Sequence, residues 1–227
     1  MTDRLADGVW RIEGSASNAY LAADGDDLVL LDAGTPGDAE VIRSAVRDAG
    51  FSVADVDRVL LTHYDYDHVG ALPKLDDLDA TVYAHDPDAS FLTGDASPGL
   101  WPPKALLQRV SGLFLSTPSL PVERVSDGDT VGSFTAYHTP GHGPGHVAWI
   151  SEWAETGFLG DLVREQDGEL LPSPWYVSYD TDAVAESIVA LADRAPSFEV
   201  AAIGHGTPLE AGGAAELTRL ADGIDSV

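Results

Sequence analysis

The stretch Val59-Leu60-Leu61-Thr62-His63-Tyr64-Asp65-Tyr66-Asp67-His68 passes from continuous apolar residues straight into a dense polar cluster. Val59–Thr62 reads as a buried strand, with His63 at its C-terminal end. Strand-end loops are where layered α/β proteins present functional groups. Four of the six residues from His63 to His68 can ligate a metal, and mixed imidazole and carboxylate donors suit zinc, iron or manganese. A polar turn in an acidic chain accounts for Asp65 and Asp67. It does not account for two histidines bracketing them when the whole chain has 7.

Working upstream, Leu28–Leu31 is a second apolar run, ending in Asp32-Ala33-Gly34. Pro36 to Ala49 has helical spacing, with Val41, Ile42, Ala45 and Val46 on one face and Gly50 as the stop. Strand, helix, strand in that order predicts a layered α/β domain. Further strands are expected at Gly8–Glu13, Ala19–Ala23, Thr81–Ala84, Val131–Tyr137, Val147–Ser151, Gly157–Gly160 and Phe198–Ile203. Helices are expected at Thr181–Arg194 and Glu210–Ile224. Between 88 and 121, Pro98, Pro102, Pro103, Pro118 and Pro121 interrupt an apolar stretch. It reads as an irregular or short-helical insertion covering the site, within a single domain spanning 1–227.

Downstream, Thr139-Pro140-Gly141-His142-Gly143-Pro144-Gly145-His146 sits between two strand candidates. Gly and Pro fix such a loop's shape and let an imidazole be aimed inward, although a Gly/Pro hairpin with surface histidines has the same composition. Gly160-Asp161 and Gly204-His205-Gly206 each place one ligand-type residue at a strand end.

The 227 residues carry 12 Lys plus Arg against 38 Asp plus Glu, a net charge of −26, and no cysteine. Disulfides, thiolate metal sites, iron–sulfur clusters and a Cys nucleophile are thereby excluded. No apolar run reaches a membrane span, and the first residues lack a signal peptide's apolar stretch, so a soluble cytoplasmic protein is expected. The acids are dispersed along the chain, a composition resembling that of salt-accumulating, haloarchaeon-like organisms, since salt screens the self-repulsion of such a surface. The same charge argues against a nucleic-acid partner, whose phosphates need basic patches.

Taken in order, these motifs resemble the metallo-β-lactamase-fold hydrolases over essentially the full length. The carrying residues are Asp32, His63, Asp65, Asp67, His68, His142, Asp161 and His205. The resemblance implies a four-layer αββα sandwich with the site at one edge. It implies two divalent metal ions, zinc first with manganese or iron as alternatives. One would take His63, Asp65 and His142, the other Asp67, His68 and His205, with Asp161 bridging. Asp32 and His146 would orient or support the ligands, whereas His85 and His138 have no motif match. The implied reaction is cleavage of a small ester, thioester or lactone by a metal-bound hydroxide, with Asp67 as the catalytic residue that orients the nucleophile and carries a proton. Asp65 stands where the commonest family pattern has His, which makes the site less positive and its donors harder. A di-iron redox enzyme and a phosphodiesterase of the same fold are the alternative readings. The partner expected is a small acyl compound, with no membrane, and the oligomeric state is open. Trp101, Phe91, Leu106, Leu107, Leu113 and Phe114 of the insertion, with Trp175, Tyr176 and Tyr179, are candidates to line the site, the alternative for any one of them being simple packing of the insertion onto the body. Lys104 and Arg109 could pair with a substrate carboxylate, but are expected as solvated charges.

Overall fold

Strands apolar at consecutive positions need cover on both faces, and the two central runs receive it. The computed structural model describes residues 2–225. Seven strands form the first sheet in sequence order: β1 (Thr2–Ala6), β2 (Val9–Glu13), β3 (Asn18–Asp24), β4 (Asp27–Leu31), β5 (Arg58–Leu60), β6 (Thr81–His85) and β7 (Val122–Val125). The first four pair antiparallel and β4 to β7 pair parallel. Leu28 and Leu30 point to one face, where they pack with Ile42, Ala45 and Val46 of helix α1 (Ala39–Asp48). Val29, Leu31 and Leu60 point to the other, against the second sheet.

That sheet has the order β14-β11-β10-β9-β8, with β8 (Thr130–Val131), β9 (Phe134–His138), β10 (Val147–Ser151), β11 (Thr156–Gly160) and β14 (Val200–Ile203). Within β10 the same alternation holds: Val147 and Trp149 face the first sheet, while Ala148 and Ile150 face helices α5 (Thr181–Arg194) and α6 (Gly213–Asp225). Three stacked hydrophobic layers therefore separate helix, sheet, sheet and helix, the αββα sandwich. Among the described residues, no helix is long and apolar enough to cross a membrane.

The sheets are tied where the functional loops leave them. Trp149 Nε1 donates to Leu61 O at 3.0 Å, and Val147 N donates to Thr62 O at 2.8 Å. From β3, Tyr20 Oη and Asn18 Nδ2 both donate to Ile203 O at the end of β14, at 2.6 and 2.9 Å.

Several elements depart from the sequence reading. The span Val131–Tyr137 is not one strand but a hairpin: Val131 pairs with Phe134 around Gly132-Ser133, and Gly132 has φ +60°, a conformation that suits glycine at the first turn position. β12 (Val163–Gln166) and β13 (Glu169–Pro172) form an additional hairpin around Asp167-Gly168, both at positive φ. β1 and β7 at the sheet edges were likewise not expected. The region 88–121 contains α3 (Asp88–Thr93) and α4 (Pro103–Gly112).

Candidate metal centre

Four histidines converge because each has its Nδ1 engaged elsewhere. Asp32, following β4, accepts from Thr62 N at 2.8 Å, Thr62 Oγ1 at 2.6 Å and His68 Nδ1 at 2.8 Å. Thr62 Oγ1, having given its proton to Asp32, accepts from His63 Nδ1 at 2.9 Å. One buried carboxylate thus orients both imidazoles of the first loop. His142 Nδ1 faces Ser173 Oγ at 2.9 Å and His205 Nδ1 faces Ala16 O at 2.9 Å. With Nδ1 occupied, the Nε2 atoms of His63, His68, His142 and His205 are left to face Asp161, and such outer hydrogen bonds fix both tautomer and ring orientation.

The distances describe one cluster. Asp161 Oδ2 lies 3.0 Å from His205 Nε2, 3.4 Å from His142 Nε2 and 3.9 Å from His63 Nε2, while its Oδ1 lies 3.7 Å from His68 Nε2. Asp67 Oδ2 is 3.5 Å from His205 Nε2, and Asp65 Oδ2 is 3.3 Å from both His63 and His142 Nε2. The donors of Asp67, His68 and His205 lie within 4.8 Å of one another, as do those of His63, His142 and Asp161. The seven residues expected as ligands, His63, Asp65, Asp67, His68, His142, Asp161 and His205, are therefore gathered in it. His146 is behind it: its Nδ1 faces Thr139 Oγ1 and its Nε2 accepts from Asp161 N at 3.1 Å. His85 and His138 stack on each other, ring centroids 4.0 Å apart, away from the cluster.

Two glycines permit this packing. A Cβ on Gly204 would sit 1.9 Å from Asp161 Oδ1, and one on Gly160, which has φ +52°, would meet His146 Nε2 at 2.8 Å.

Does the donor set fit a metal? His63 Nε2, His68 Nε2 and Asp161 Oδ1 are buried with no aligned hydrogen-bond partner. An unmade bond at a buried polar atom costs about 1–3 kcal/mol, so the facing orphans His68 Nε2 and Asp161 Oδ1 mark a cation position. The Asp67, His68, His205 and Asp161 donors fit it. Burial alone would lower His68, yet Asp161 and Asp32 push it up to about 10, so a proton stands where a metal ion would displace it. Asp161 is raised by burial but carried well below the usual carboxylate range by His68, His142 and His205.

The Asp65 side is different. Lys104, from the insertion's helix α4 and only 6% exposed, donates to Asp65 Oδ2 at 2.9 Å and to His142 Nε2. The expectation of a solvated Lys104 is thus corrected: helix α4 aims it inward. Gln108, one turn on, donates to Asp65 Oδ1 at 2.9 Å and to Tyr64 O, and its carbonyl accepts from Tyr179 Oη. Burial and then Lys104 lower His142 to about 4, so its imidazole is neutral. Against the raising effect of burial, Lys104, His142 and His63 hold Asp65 well below the usual carboxylate range. Arg109 turns away and donates to Pro98 O at 2.9 Å.

A cavity of about 400 Å³ opens onto the cluster, lined by Leu107, Val163, Arg164, Pro174, Tyr176 and Val177 besides the polar groups. Of the expected lining, Leu107 and Tyr176 reach it. Phe91 and Leu113 line a separate cavity beside Tyr64, and Trp101, Phe114 and Trp175 stand exposed. Val163 and Arg164 come from the β12–β13 hairpin, for which Asp167-Gly168 was the available signal.

Asp88, also outside the motifs, staples the two ligand loops together. Its carboxylate accepts from Tyr64 N at 2.7 Å and Gly145 N at 3.2 Å. Burial pushes its pKa up from 3.8 to about 6. A raised folded-state pKa means that Asp88's stabilising contribution is full below about pH 4 and is lost as pH rises through about 6. Asp88→Asn cannot ionise. Its stability relative to wild type should therefore improve by about 2.5 kcal/mol between pH 4 and pH 7.5. Urea midpoints measured in parallel check this, and two parallel curves would refute it.

Comparisons with known proteins agree with this geometry. Residues 12–205 match the family model described as the metallo-beta-lactamase superfamily. YflN of Bacillus subtilis (strain 168), named a probable metallo-hydrolase, is 30% identical over an alignment of 250 residues covering 98% of this chain and 93% of its own. The atrochrysone carboxyl ACP thioesterase dmxR1 of Cryptosporiopsis sp. (strain 8999) is 28% identical over 162 residues, 69% of this chain and 40% of its own length. Among solved structures, TTHA1623, crystallised in a di-iron-bound form, is 30% identical with a TM-score of 0.64, covering 88% of this chain and 93% of that one. Two sheets, five ordered motifs and a histidine–aspartate cluster at their shared edge are what the match over residues 12–205 embraces, and the chain belongs to the metallo-beta-lactamase superfamily of hydrolases.

Proposed function

We propose that the protein hydrolyses a small acyl compound, an ester, thioester or lactone, in a metal-dependent reaction. The observation that carries this reading is the juxtaposition of the orphaned His68 Nε2 and Asp161 Oδ1 with a largely apolar cavity of about 400 Å³, a size suited to a small organic ligand. Asp67, His68, His205 and Asp161 would hold the ion. When bound, a divalent metal lowers the pKa of water into the neutral range and polarises a carbonyl.

The chain's own residues supply the rest. Asp67 is partly exposed at the cavity wall, where the carboxylate oxygen turned away from the cluster can orient a water and carry its proton to the leaving group. Leu107, Val163, Val177 and Tyr176 surround the acyl chain and thin the water around it. Arg164 Nε is buried without a hydrogen bond on the same wall, although Nη1 donates to Gln166 at 2.8 Å. A guanidinium so placed favours a substrate bearing a carboxylate. The relatives named as thioesterases support the acyl reading, and the acidic surface supports working conditions of high salt.

A panel of esters, thioesters and lactones, with and without a second carboxylate, and a parallel panel of phosphodiesters test it. Assays belong in dilute buffer and in molar chloride. Turnover confined to the acyl panel, best on carboxylate-bearing members, is expected. Turnover of the phosphodiesters alone would overturn the reading.

A further inference from the structure

Two cation positions implied by the histidine–aspartate cluster are furnished differently. At the first, His68 Nε2 and Asp161 Oδ1 are buried and unpaired, with Asp67 and His205 completing the donor set. At the second, the atoms that would face an ion are already engaged by the protein's own donors. Asp65 Oδ2 and His142 Nε2 both accept from the Lys104 ammonium, and Asp65 Oδ1 accepts from Gln108. His142 Nε2 has one lone pair and cannot serve the ammonium and a metal ion together, and an ammonium seated between it and Asp65 Oδ2 supplies the positive charge an ion would bring there. Only His63 Nε2 remains free of an aligned bond on this side.

The arrangement is built rather than incidental. Lys104 and Gln108 are four residues apart on α4 and therefore share a helix face. Both are buried, and together they occupy both oxygens of Asp65. Tyr179 fixes Gln108 from the far side. Lys104 is one of only two lysines in a chain of net charge −26, where an inward-facing cation has no shortage of exposed carboxylates to pair with instead. Asp65 explains the match: a carboxylate attracts an ammonium, whereas an imidazole at this position would offer it no charge.

We infer that Lys104 is a protein-borne cation standing in for one of the two metal ions, so that the enzyme works with a single divalent ion held by Asp67, His68, His205 and Asp161. Lys104 then supplies the fixed positive charge opposite that ion and keeps Asp65 and His142 rigid. This rests on the metal-dependent hydrolase reading and refines its metal requirement from a pair to one ion plus one lysine.

The test is zinc stoichiometry on the full chain, stripped with chelator, reloaded with excess zinc, desalted and measured by elemental analysis. Wild type should retain one zinc per chain and Lys104→Met two. His205→Ala should reduce wild type to none. As a measurement that needs no Lys104 variant, manganese-loaded wild type should give the electron paramagnetic resonance spectrum of an isolated ion, without the spin coupling of a pair a few ångströms apart. Two zinc ions, or a coupled manganese pair, in wild type would overturn the role of Lys104 and leave the hydrolase reading standing. No metal in either protein would overturn the hydrolase reading and this inference with it.

Discussion

Asp161→Asn should abolish hydrolysis and metal retention together while leaving the fold in place. Asp161 is where the cluster closes: one carboxylate oxygen faces His205, His142 and His63, and the other faces His68. An amide has the same shape but half the lone pairs and no charge, and its NH2 would point into a ring of imidazole nitrogens. The loss of rate should exceed the roughly 10²–10³-fold that removal of a single transition-state hydrogen-bond donor costs, because the ion itself is lost. His146→Ala makes the contrast. Its Nε2 holds only the backbone N–H of Asp161, so a drop of about 10–100-fold with metal retained is expected. Kinetics and elemental analysis on the two variants decide between ligand and support. Equal, modest losses in both would show that Asp161 does not hold the ion.

The site was legible because its residues are chemically unusual in place. Histidines at the ends of apolar strands, and glycines beside Asp161 and His205, have few reasons to occur together outside a metal centre, and the alternating faces of β4 and β10 follow from the apolar runs alone. Lys104 and Gln108 were not legible. Their role depends on how a proline-interrupted segment folds back over Asp65, a tertiary fact with no local signature. Asp88 was hidden by abundance, since one acid among 38 Asp plus Glu does not announce that it is buried. The two hairpins at Gly132 and Asp167-Gly168 were readable from turn chemistry. In the first, Val131 and Phe134 on either side of Gly132-Ser133 read as one strand and hid a two-residue reversal.

Asp32→Asn tests the orienting network rather than the ligands, and its expected effect on metal binding is large for a change of one atom. Asp32 Oδ1 accepts from Thr62 N, so an asparagine must keep its oxygen there and place its NH2 where Oδ2 now lies. That NH2 would face Thr62 Oγ1 and His68 Nδ1, both of which currently donate to the carboxylate. His68 Nδ1 must then become the acceptor and its hydrogen must move to Nε2, the atom that faces Asp161. A protonated Nε2 has no lone pair for an ion. Thr62 Oγ1 must turn as well, and His63 loses the acceptor that holds its own tautomer. Zinc affinity should fall by about 10–100-fold and turnover at subsaturating zinc with it, whereas circular dichroism stays that of wild type. Excess zinc should recover part of the rate, because the metal can select the minority tautomer. Nitrogen-15 chemical shifts of His68 read the tautomer directly. An unchanged Nδ1–H signal with unchanged zinc affinity would mean that Asp32 anchors the β4 turn without governing the imidazoles.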